Sequence, residues 1–161
     1  QLLPKYLETH MPGISIEQLV EQIASPDVKQ VIADAVGGAI PEDVYLDAKN
    51  VQRPILQQAY ADYFQHHSLD AMVFPTAPLP ACKLEPDMTT VELNGHEVPT
   101  FLTYIRNTDP SSNAGIPGIS IPAGFSAQGL PIGVEIEAAT GKDHGLLAVA
   151  AKIETLLSAK N

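Results

Sequence analysis

The spacing of apolar and polar residues predicts two short helices near the start of the chain. Ser15 can cap a helix from residue 16 to about residue 24, because a serine hydroxyl accepts a hydrogen bond from a free amide at a helix start. Ser25-Pro26-Asp27 begins a second helix, since proline suits the first helical position, and Gly37-Gly38 ends it. Its apolar face consists of Val28, Val31, Ile32, Ala35 and Val36.

A longer helical pattern extends from about Pro41 to His67. Its apolar stripe contains Val51, Ile55, Leu56, Ala59, Tyr60, Tyr63 and Phe64. Pro54 falls inside the stripe, and proline in a helix interior removes a hydrogen bond and crowds the preceding turn. We therefore predict that the helix is kinked or divided near Arg53, and we favour one long kinked helix.

Strand patterns follow in the second half of the chain. Residues 70–76 are almost wholly apolar and end at proline, which predicts a buried strand. Residues 118–124 and 132–138 both alternate, with Gly129-Leu130-Pro131 between them, and so predict an antiparallel β-hairpin. Over residues 77–99 the pattern is lost, and we expect a long surface excursion. Its turn-forming residues are Pro78, Pro80, Pro86 and Asn94-Gly95.

Two further helices complete the predicted order. A short helix at residues 101–105 should end before Pro110, and Asp143 can cap a last helix to about Leu157. The inward residues of the last helix are predicted to be Leu146, Leu147, Ala150, Ile153 and Leu157. The chain is thus helical over residues 1–68, strand, loop and hairpin over 69–140, and helical again over 143–158. This order predicts an α/β fold with a mixed β-sheet flanked by helices, and no linker divides the sequence.

Composition and charge narrow the possible functions. Of 161 residues, 45% are apolar, which is ordinary for a globular core. The 19 acidic residues outnumber the 9 basic ones, so neither nucleic acid nor an anionic membrane is an expected partner. No apolar run approaches the roughly 18 residues that a membrane span needs. The single cysteine, Cys82, allows no internal disulfide and fits a cytoplasmic location.

Candidate catalytic and metal-binding residues are few. Ser111 and Ser112 follow Asp109-Pro110, where serine is a common turn residue. Ser120 lies in a sequence that lacks the last glycine of a nucleophile elbow, so we interpret it as a strand residue. The five histidines show no metal-ligand spacing, and we expect no metal and no cofactor. Cys82 has no predicted histidine partner and is interpreted as an incidental thiol.

Four segments, in this order and at this spacing, resemble the C-terminal half of the amidase-signature family. They are LDAMVFPTAP at residues 69–78, NAGIPGISIPAG at 113–124, GLPIGVEI at 129–136 and the helical pattern at 146–157. The run RNTDPSSN at 106–113 resembles the branch that hydrolyses indoleacetamide, mandelamide and related arylacetamides more than the amidotransferase A subunit. The resemblance implies the C-terminal part of the amidase-signature fold, with a β-hairpin and a closing C-terminal helix.

The resemblance also implies a mechanism. A serine nucleophile is activated through a second serine and a lysine, while backbone amides hold the oxyanion. In the family these groups lie in a glycine- and serine-rich N-terminal segment, and this sequence contains no equivalent. We therefore expect no catalytic residue here and an inactive chain on its own. Because Gln1 is not methionine, we expect a chain that begins within a longer protein, has been processed, or lacks its true start.

Two positions are expected to bind substrate. Arg106 lies seven residues before Asn113, where the resemblance places an aspartate with which the amidotransferase A subunit recognises glutamine. The reversed charge puts an amino-acid substrate in doubt, and neighbouring Ile105 offers apolar surface to an aryl ring. The alternatives are an ion pair of Arg106, for instance with Asp109, and a core position for Ile105. Asn113 is interpreted as locking the turn Gly115-Ile116-Pro117-Gly118.

The expected function is hydrolysis of a small primary amide of the arylacetamide type to acid and ammonia. The alternatives are the A subunit of a tRNA-dependent amidotransferase and a non-catalytic binding or structural domain. A severed sheet would leave an unpaired edge and exposed apolar surface. The expected partner is therefore the missing N-terminal half of the enzyme, or a second copy of the chain in a homo-oligomer.

Overall fold

The computed structural model describes residues 2–84 and 88–158, so Pro86 of the predicted excursion lies outside the described residues. The helices are α1 Leu2–His10, α2 Ile16–Gln22, α3 Pro26–Val36, α4 Glu42–Asp47, α5 Arg53–His66, α6 Thr100–Ile105, α7 Asp109–Ala114 and α8 Asp143–Ser158. The strands are β1 Met72–Pro75, β2 Thr90–Leu93, β3 His96–Pro99, β4 Gly118–Phe125 and β5 Pro131–Glu137. The chain forms two compact units, Gln1–Lys49 and Asn50–Asn161, although the sequence showed no linker.

The first unit is helical, as predicted. At the start of α2 the Ser15 hydroxyl accepts a hydrogen bond from the Gln18 amide, and the Gln18 side chain accepts one from the Ser15 amide. This reciprocal pair satisfies two amides that the helix leaves free. The end of α3 at Gly37 is also confirmed. Its apolar face is partly open, since Val31 is 51% exposed.

The residues from 42 to 66 are helical in three segments. A π-helical turn, Ala48–Gln52, lies between α4 and α5, directly before Arg53-Pro54. Pro54 has no amide hydrogen with which to continue an α-helix from the preceding turn, so the predicted irregularity near Arg53 is confirmed, and it takes the form of this π-helical turn. The predicted apolar stripe is only partly buried. Phe64 is 4% exposed, whereas Ile55 is 59% exposed.

In the described part of the second unit, the main sheet contains three strands in the order β1-β5-β4. The predicted hairpin of β4 and β5 is confirmed, and the Ser126 hydroxyl closes its turn by accepting hydrogen bonds from the amides of Gln128 and Leu130. The α/β class is confirmed as well. Every strand pair among the described residues is antiparallel, however, so the expected mixed sheet is not found there. Strand β1 is an edge strand with Val73 55% exposed, rather than a buried strand.

A second hairpin occupies part of the predicted surface excursion. Strands β2 and β3 pair in antiparallel fashion on either side of Asn94-Gly95. The φ angles of Asn94 and Gly95 are 56° and 81°, the positive values that tight hairpin turns require. The excursion prediction was wrong here because each strand has only four residues, too few for alternation to stand out.

The two faces of the main sheet differ in character. On one face, Ile121 and Ile136 pack against Leu146 and Ala150 of α8 in an apolar cluster. Leu147, which the sequence placed inward, is 54% exposed, so that assignment was wrong. The opposite face is covered in part by α5 and α7 and has its own apolar cluster of Phe64, Ala114 and Ile116. This second face also carries the buried polar side chains of the candidate site.

Candidate functional site

Two glutamates of the central strand β5 lie on the face of the sheet opposite α8. Strand residues two apart share a face, so Glu135 and Glu137 point the same way. In the strand register, Glu135 lies between Phe74 of β1 and Ser120 of β4. Glu135 is 7% exposed and Glu137 is 0% exposed. Buried glutamates are rare unless they are paired or functional, which makes this face the candidate site.

Glu137 has no hydrogen-bond partner for either carboxylate oxygen among the described residues. Burial raises the pKa of Glu137, and the polar Ser111 side chain beside it lowers the pKa in part. The Ser111 hydroxyl donates its one proton to the Thr108 carbonyl at 3.0 Å, so it leaves the Glu137 oxygens without a donor. The side chain of Glu137 lines an open, mainly apolar groove of about 470 Å³ together with Tyr60 and Met72. Burial, and then the charge of Glu137, raises the pKa of Tyr60. The groove thus contains a buried acidic group whose two oxygens lack a hydrogen-bond partner among the described residues.

Glu135 is connected to the protein surface through a series of hydrogen-bonded polar side chains. Burial and then the charge of Glu137 raise the pKa of Glu135, while a hydrogen bond from the Thr76 hydroxyl lowers it. Thr76 Oγ1 lies 2.5 Å from Ser120 Oγ. Ser120 is exposed and lies in β4, which confirms its interpretation as a strand residue. Glu135, Thr76 and Ser120 therefore connect a buried carboxylate to an accessible hydroxyl.

Two glycines provide the space for these polar groups. A Cβ atom on Gly133 would lie 2.8 Å from Ser120 Oγ and 2.9 Å from Thr76 Oγ1. A Cβ atom on Gly118 would lie 2.7 Å from Glu135 Oε1. The sequence suggested that Gly118 serves a turn, but its position in β4 opposite Glu137 shows that its lack of a side chain accommodates a carboxylate.

The hydroxyl pair opens into a cavity of about 700 Å³ beside the main sheet. The cavity wall includes Thr76, Ser120, Tyr104 and Ile132, and its other lining residues are mostly prolines and alanines. The Tyr104 hydroxyl donates to the Pro80 carbonyl at 2.9 Å and so connects α6 to the proline-rich loop after β1. A cavity of this size and apolar character suits a small organic molecule.

The two predicted substrate-binding residues, Ile105 and Arg106, directly follow the cavity-lining residue Tyr104 in the sequence. Ile105 is half-buried at the end of α6, and Arg106 is exposed immediately after it. Their neighbours are held by hydrogen bonds, because Tyr104 donates to the Pro80 carbonyl at 2.9 Å and Asn107 donates to the Pro75 carbonyl at 2.8 Å. Neither Ile105 nor Arg106 is among the described residues that line the cavity. Their role in binding stays a prediction.

The segment after Asp109 is helical rather than a turn. In α7 the Ser111 and Ser112 hydroxyls donate to the Thr108 carbonyl at 3.0 Å and 2.8 Å. Asn113 donates to the Asp109 carbonyl at 3.0 Å, so its amide holds backbone as interpreted, but within α7 and not in the turn that follows. Gly115 instead ends the helix with φ of 74°, a conformation that glycine adopts without strain.

No group of metal-binding side chains is found among the described residues. Cys82 is exposed and lies near Tyr104, and a hydrogen bond between the two, together with burial, raises the pKa of Tyr104 to about 12. In the described part of the chain, no helix is both long and apolar enough to cross a membrane.

Sequence reasoning missed the polar groups on the second face of the sheet. Thr76, Glu135 and Glu137 were all passed over as ordinary strand residues. The available signal was a pair of glutamates two positions apart in an otherwise apolar strand, preceded by Gly133.

This antiparallel sheet with helices on both faces, and its apolar cavity, can be compared with known proteins. The model of the Amidase family matches residues 17–147, and this chain belongs to the amidase-signature family. It is 42% identical over 157 residues to an indoleacetamide hydrolase of Agrobacterium vitis, covering 97% of this chain and 33% of the relative. It is 41% identical over 166 residues to a mandelamide hydrolase of Pseudomonas putida, covering 96% of this chain and 31% of the relative.

A solved amidase structure matches 94% of this chain and 31% of its own length, with 28% identity and a TM-score of 0.70. The expected α/β amidase-signature fold is thereby confirmed. The chain spans about one third of the length of the curated relatives it matches.

Proposed function

We propose that this chain is the C-terminal part of an amidase that hydrolyses a primary amide of the arylacetamide type to an acid and ammonia. The observation that carries the proposal is similarity, over nearly the whole chain, to relatives named for hydrolysis of indoleacetamide and mandelamide. A cytoplasmic location is part of the proposal, since the exposed Cys82 thiol suits a reducing compartment.

The hydrogen-bond partners of the serine hydroxyls in this chain support the proposal that the nucleophile lies elsewhere in the enzyme. A serine nucleophile needs a base within hydrogen-bond reach. Ser111 and Ser112 instead donate to a helix carbonyl, and Ser120 has the Thr76 hydroxyl as its neighbour. We therefore assign the nucleophilic serine, its second serine and its lysine to the part of the enzyme that precedes this chain.

That preceding part is also the proposed partner of this chain. Large apolar side chains are exposed on the second unit, among them Phe125 at 73% and Leu102 at 61%. Burial of these side chains against another protein surface would remove their apolar area from water. The groove beside Glu137 adds an unpaired acidic group that a basic or hydrogen-bond-donating side chain could satisfy. A homo-oligomer that covers the same surface is the alternative.

Ammonia release tests the proposed activity. Phenylacetamide, mandelamide and indoleacetamide are supplied separately to the purified 161-residue chain and to the longer protein that contains it. We expect ammonia only from the longer protein, because in the described structure the hydroxyls of Ser111, Ser112 and Ser120 have a helix carbonyl or another hydroxyl, and not a base, as their direct partner. Release by the chain alone would contradict the assignment and direct attention to Ser120. A longer protein inactive on all three amides would contradict the substrate class.

Exchange of Ile105 tests the predicted acyl pocket. We expect Ile105→Ala, in the longer protein, to change the ratio of kcat/KM for phenylacetamide to that for an alkyl amide by about tenfold, since a few methylene groups in an apolar pocket discriminate to that extent. The matched control is Ile40→Ala, at a position 51% exposed in the first unit. An unchanged ratio for Ile105→Ala would remove this residue from the pocket.

A further inference from the structure

The cavity beside the main sheet has a polar feature that apolar packing does not require. Its wall carries the exposed Ser120 hydroxyl, which the Thr76 hydroxyl connects to the buried Glu135 carboxylate. We infer that this cavity binds an aryl amide, with Ser120 accepting a hydrogen bond from the amide N–H group. The inference rests on the proposed function for its choice of ligand class, and it assigns a binding site for that class to residues of this chain.

The direction of the hydrogen bonds determines what Ser120 can offer. Each hydroxyl has one proton to donate. When Glu135 is ionised, its carboxylate can only accept, so Thr76 donates to it and the contact of 2.5 Å between Thr76 Oγ1 and Ser120 Oγ takes its proton from Ser120. The free lone pairs of Ser120 then face the cavity. An ionised Glu135 thus makes the accessible Ser120 hydroxyl, the last of the three connected groups, a hydrogen-bond acceptor.

This polarity favours an amide over the corresponding acid. An amide nitrogen carries hydrogens that Ser120 can accept, whereas a carboxylate would place its own lone pairs against those of Ser120 and its charge near Glu135. The rest of the wall suits the ring, since Tyr104, Leu79, Ile132 and several prolines present apolar surface. The cavity of about 700 Å³ is large enough for an arylacetamide.

Two glycines of the main sheet leave space for the Thr76–Ser120 hydroxyl pair and for the Glu135 carboxylate. Gly133 is the residue of β5 beneath the hydroxyl pair, and any side chain there would collide with both Ser120 Oγ and Thr76 Oγ1 at less than 3 Å. Gly118 likewise leaves room for the Glu135 carboxylate, because a Cβ atom there would lie 2.7 Å from Glu135 Oε1. Glycine weakens a strand because it has no side chain to pack and loses more conformational entropy on folding. Here the space left by the two glycines is occupied by the polar groups of Ser120, Thr76 and Glu135.

A binding experiment on the 161-residue chain tests the inference. Phenylacetamide and phenylacetate are titrated into the ¹⁵N-labelled protein, and amide chemical shifts report the Kd and the place of binding. We expect shifts around Ser120 and Thr76 with phenylacetamide, and binding at least about fivefold weaker with phenylacetate. Ser120→Ala and Thr76→Val should each weaken phenylacetamide binding about fivefold to tenfold, the effect of one hydrogen bond of about 1 kcal/mol.

The control is Thr155→Val, which removes a hydroxyl that bonds only to its own helix at the Ala151 carbonyl. It should bind phenylacetamide as the unaltered chain does. Ser120 is exposed, so Ser120→Ala should fold even if Thr76→Val does not. Equal binding of amide and acid, no effect of Ser120→Ala, or no binding at all would each overturn the inference. None of these results depends on hydrolysis, so the ammonia assay tests the proposed function separately.

Discussion

Replacement of Ile136 by alanine is expected to lower the free energy of unfolding of the chain by about 2–5 kcal/mol, the usual cost of removing a buried isoleucine side chain. Ile136 is 0% exposed and lies on β5, the central strand of the main sheet. It packs in the apolar cluster between that sheet and α8. The loss combines the transfer free energy of the removed carbons with the cavity they leave. Urea unfolding followed by circular dichroism measures it, since the chain has no tryptophan.

Leu147→Ala is the matched control for this prediction. Periodicity alone placed Leu147 in the core, yet its side chain is 54% exposed on α8. Its truncation should cost less than about 1 kcal/mol, because little apolar surface leaves contact. Equal losses for Ile136→Ala and Leu147→Ala would mean that α8 packs on the sheet by a different face.

Local signals explain why much of the fold could be predicted from the sequence. The capping box of Ser15, the glycine after α3 and the turn that joins β4 to β5 involve only neighbouring residues. Pro54 divides the helical stretch for an equally local reason, the missing amide hydrogen. Such features are legible without knowledge of distant contacts.

Burial and the candidate site depend on distant contacts, and there the sequence was a weaker guide. In the apolar stripe of α5 the Ile55 side chain is exposed, because the described residues do not pack over it. The Thr76–Ser120 contact joins residues 44 positions apart, through a register that no local pattern specifies. The backbone partner of Asn113 was misplaced for a local reason, since the segment after Asp109 is a helix of only six residues that the sequence pattern did not reveal.

Replacement of Glu137 by methionine is expected to stabilise the isolated chain at pH 7–8 by about 1–4 kcal/mol, the range found when apolar side chains of similar volume replace buried ion pairs, because it removes a desolvated carboxylate. Glu137 is 0% exposed and neither oxygen has a partner in the described chain, so the folded state holds an uncompensated acidic group. Methionine is flexible enough to fill the same space. The matched control is Glu154→Met on α8, whose side chain is exposed.

The pH dependence of this effect identifies its cause. Burial raises the pKa of Glu137 above its unfolded value of about 4.3, so the folded chain binds this proton more tightly than the unfolded chain. Stability from this group is therefore complete below pH 4 and is lost as the pH rises through the folded pKa. Unfolding free energies from pH 4 to 8 should show the advantage of Glu137→Met growing with pH, helped by Glu135, whose pKa falls when the Glu137 charge is removed.

An advantage of Glu137→Met that stayed constant with pH would show that packing, and not the charge, is responsible. In the longer protein the sign should reverse if the preceding part supplies a basic side chain to Glu137. Removal of one partner then leaves the other buried without compensation. A substitution that stabilises the isolated chain but destabilises the longer protein would thus locate the contact between them. Stabilisation of both would mean that Glu137 has no partner in either.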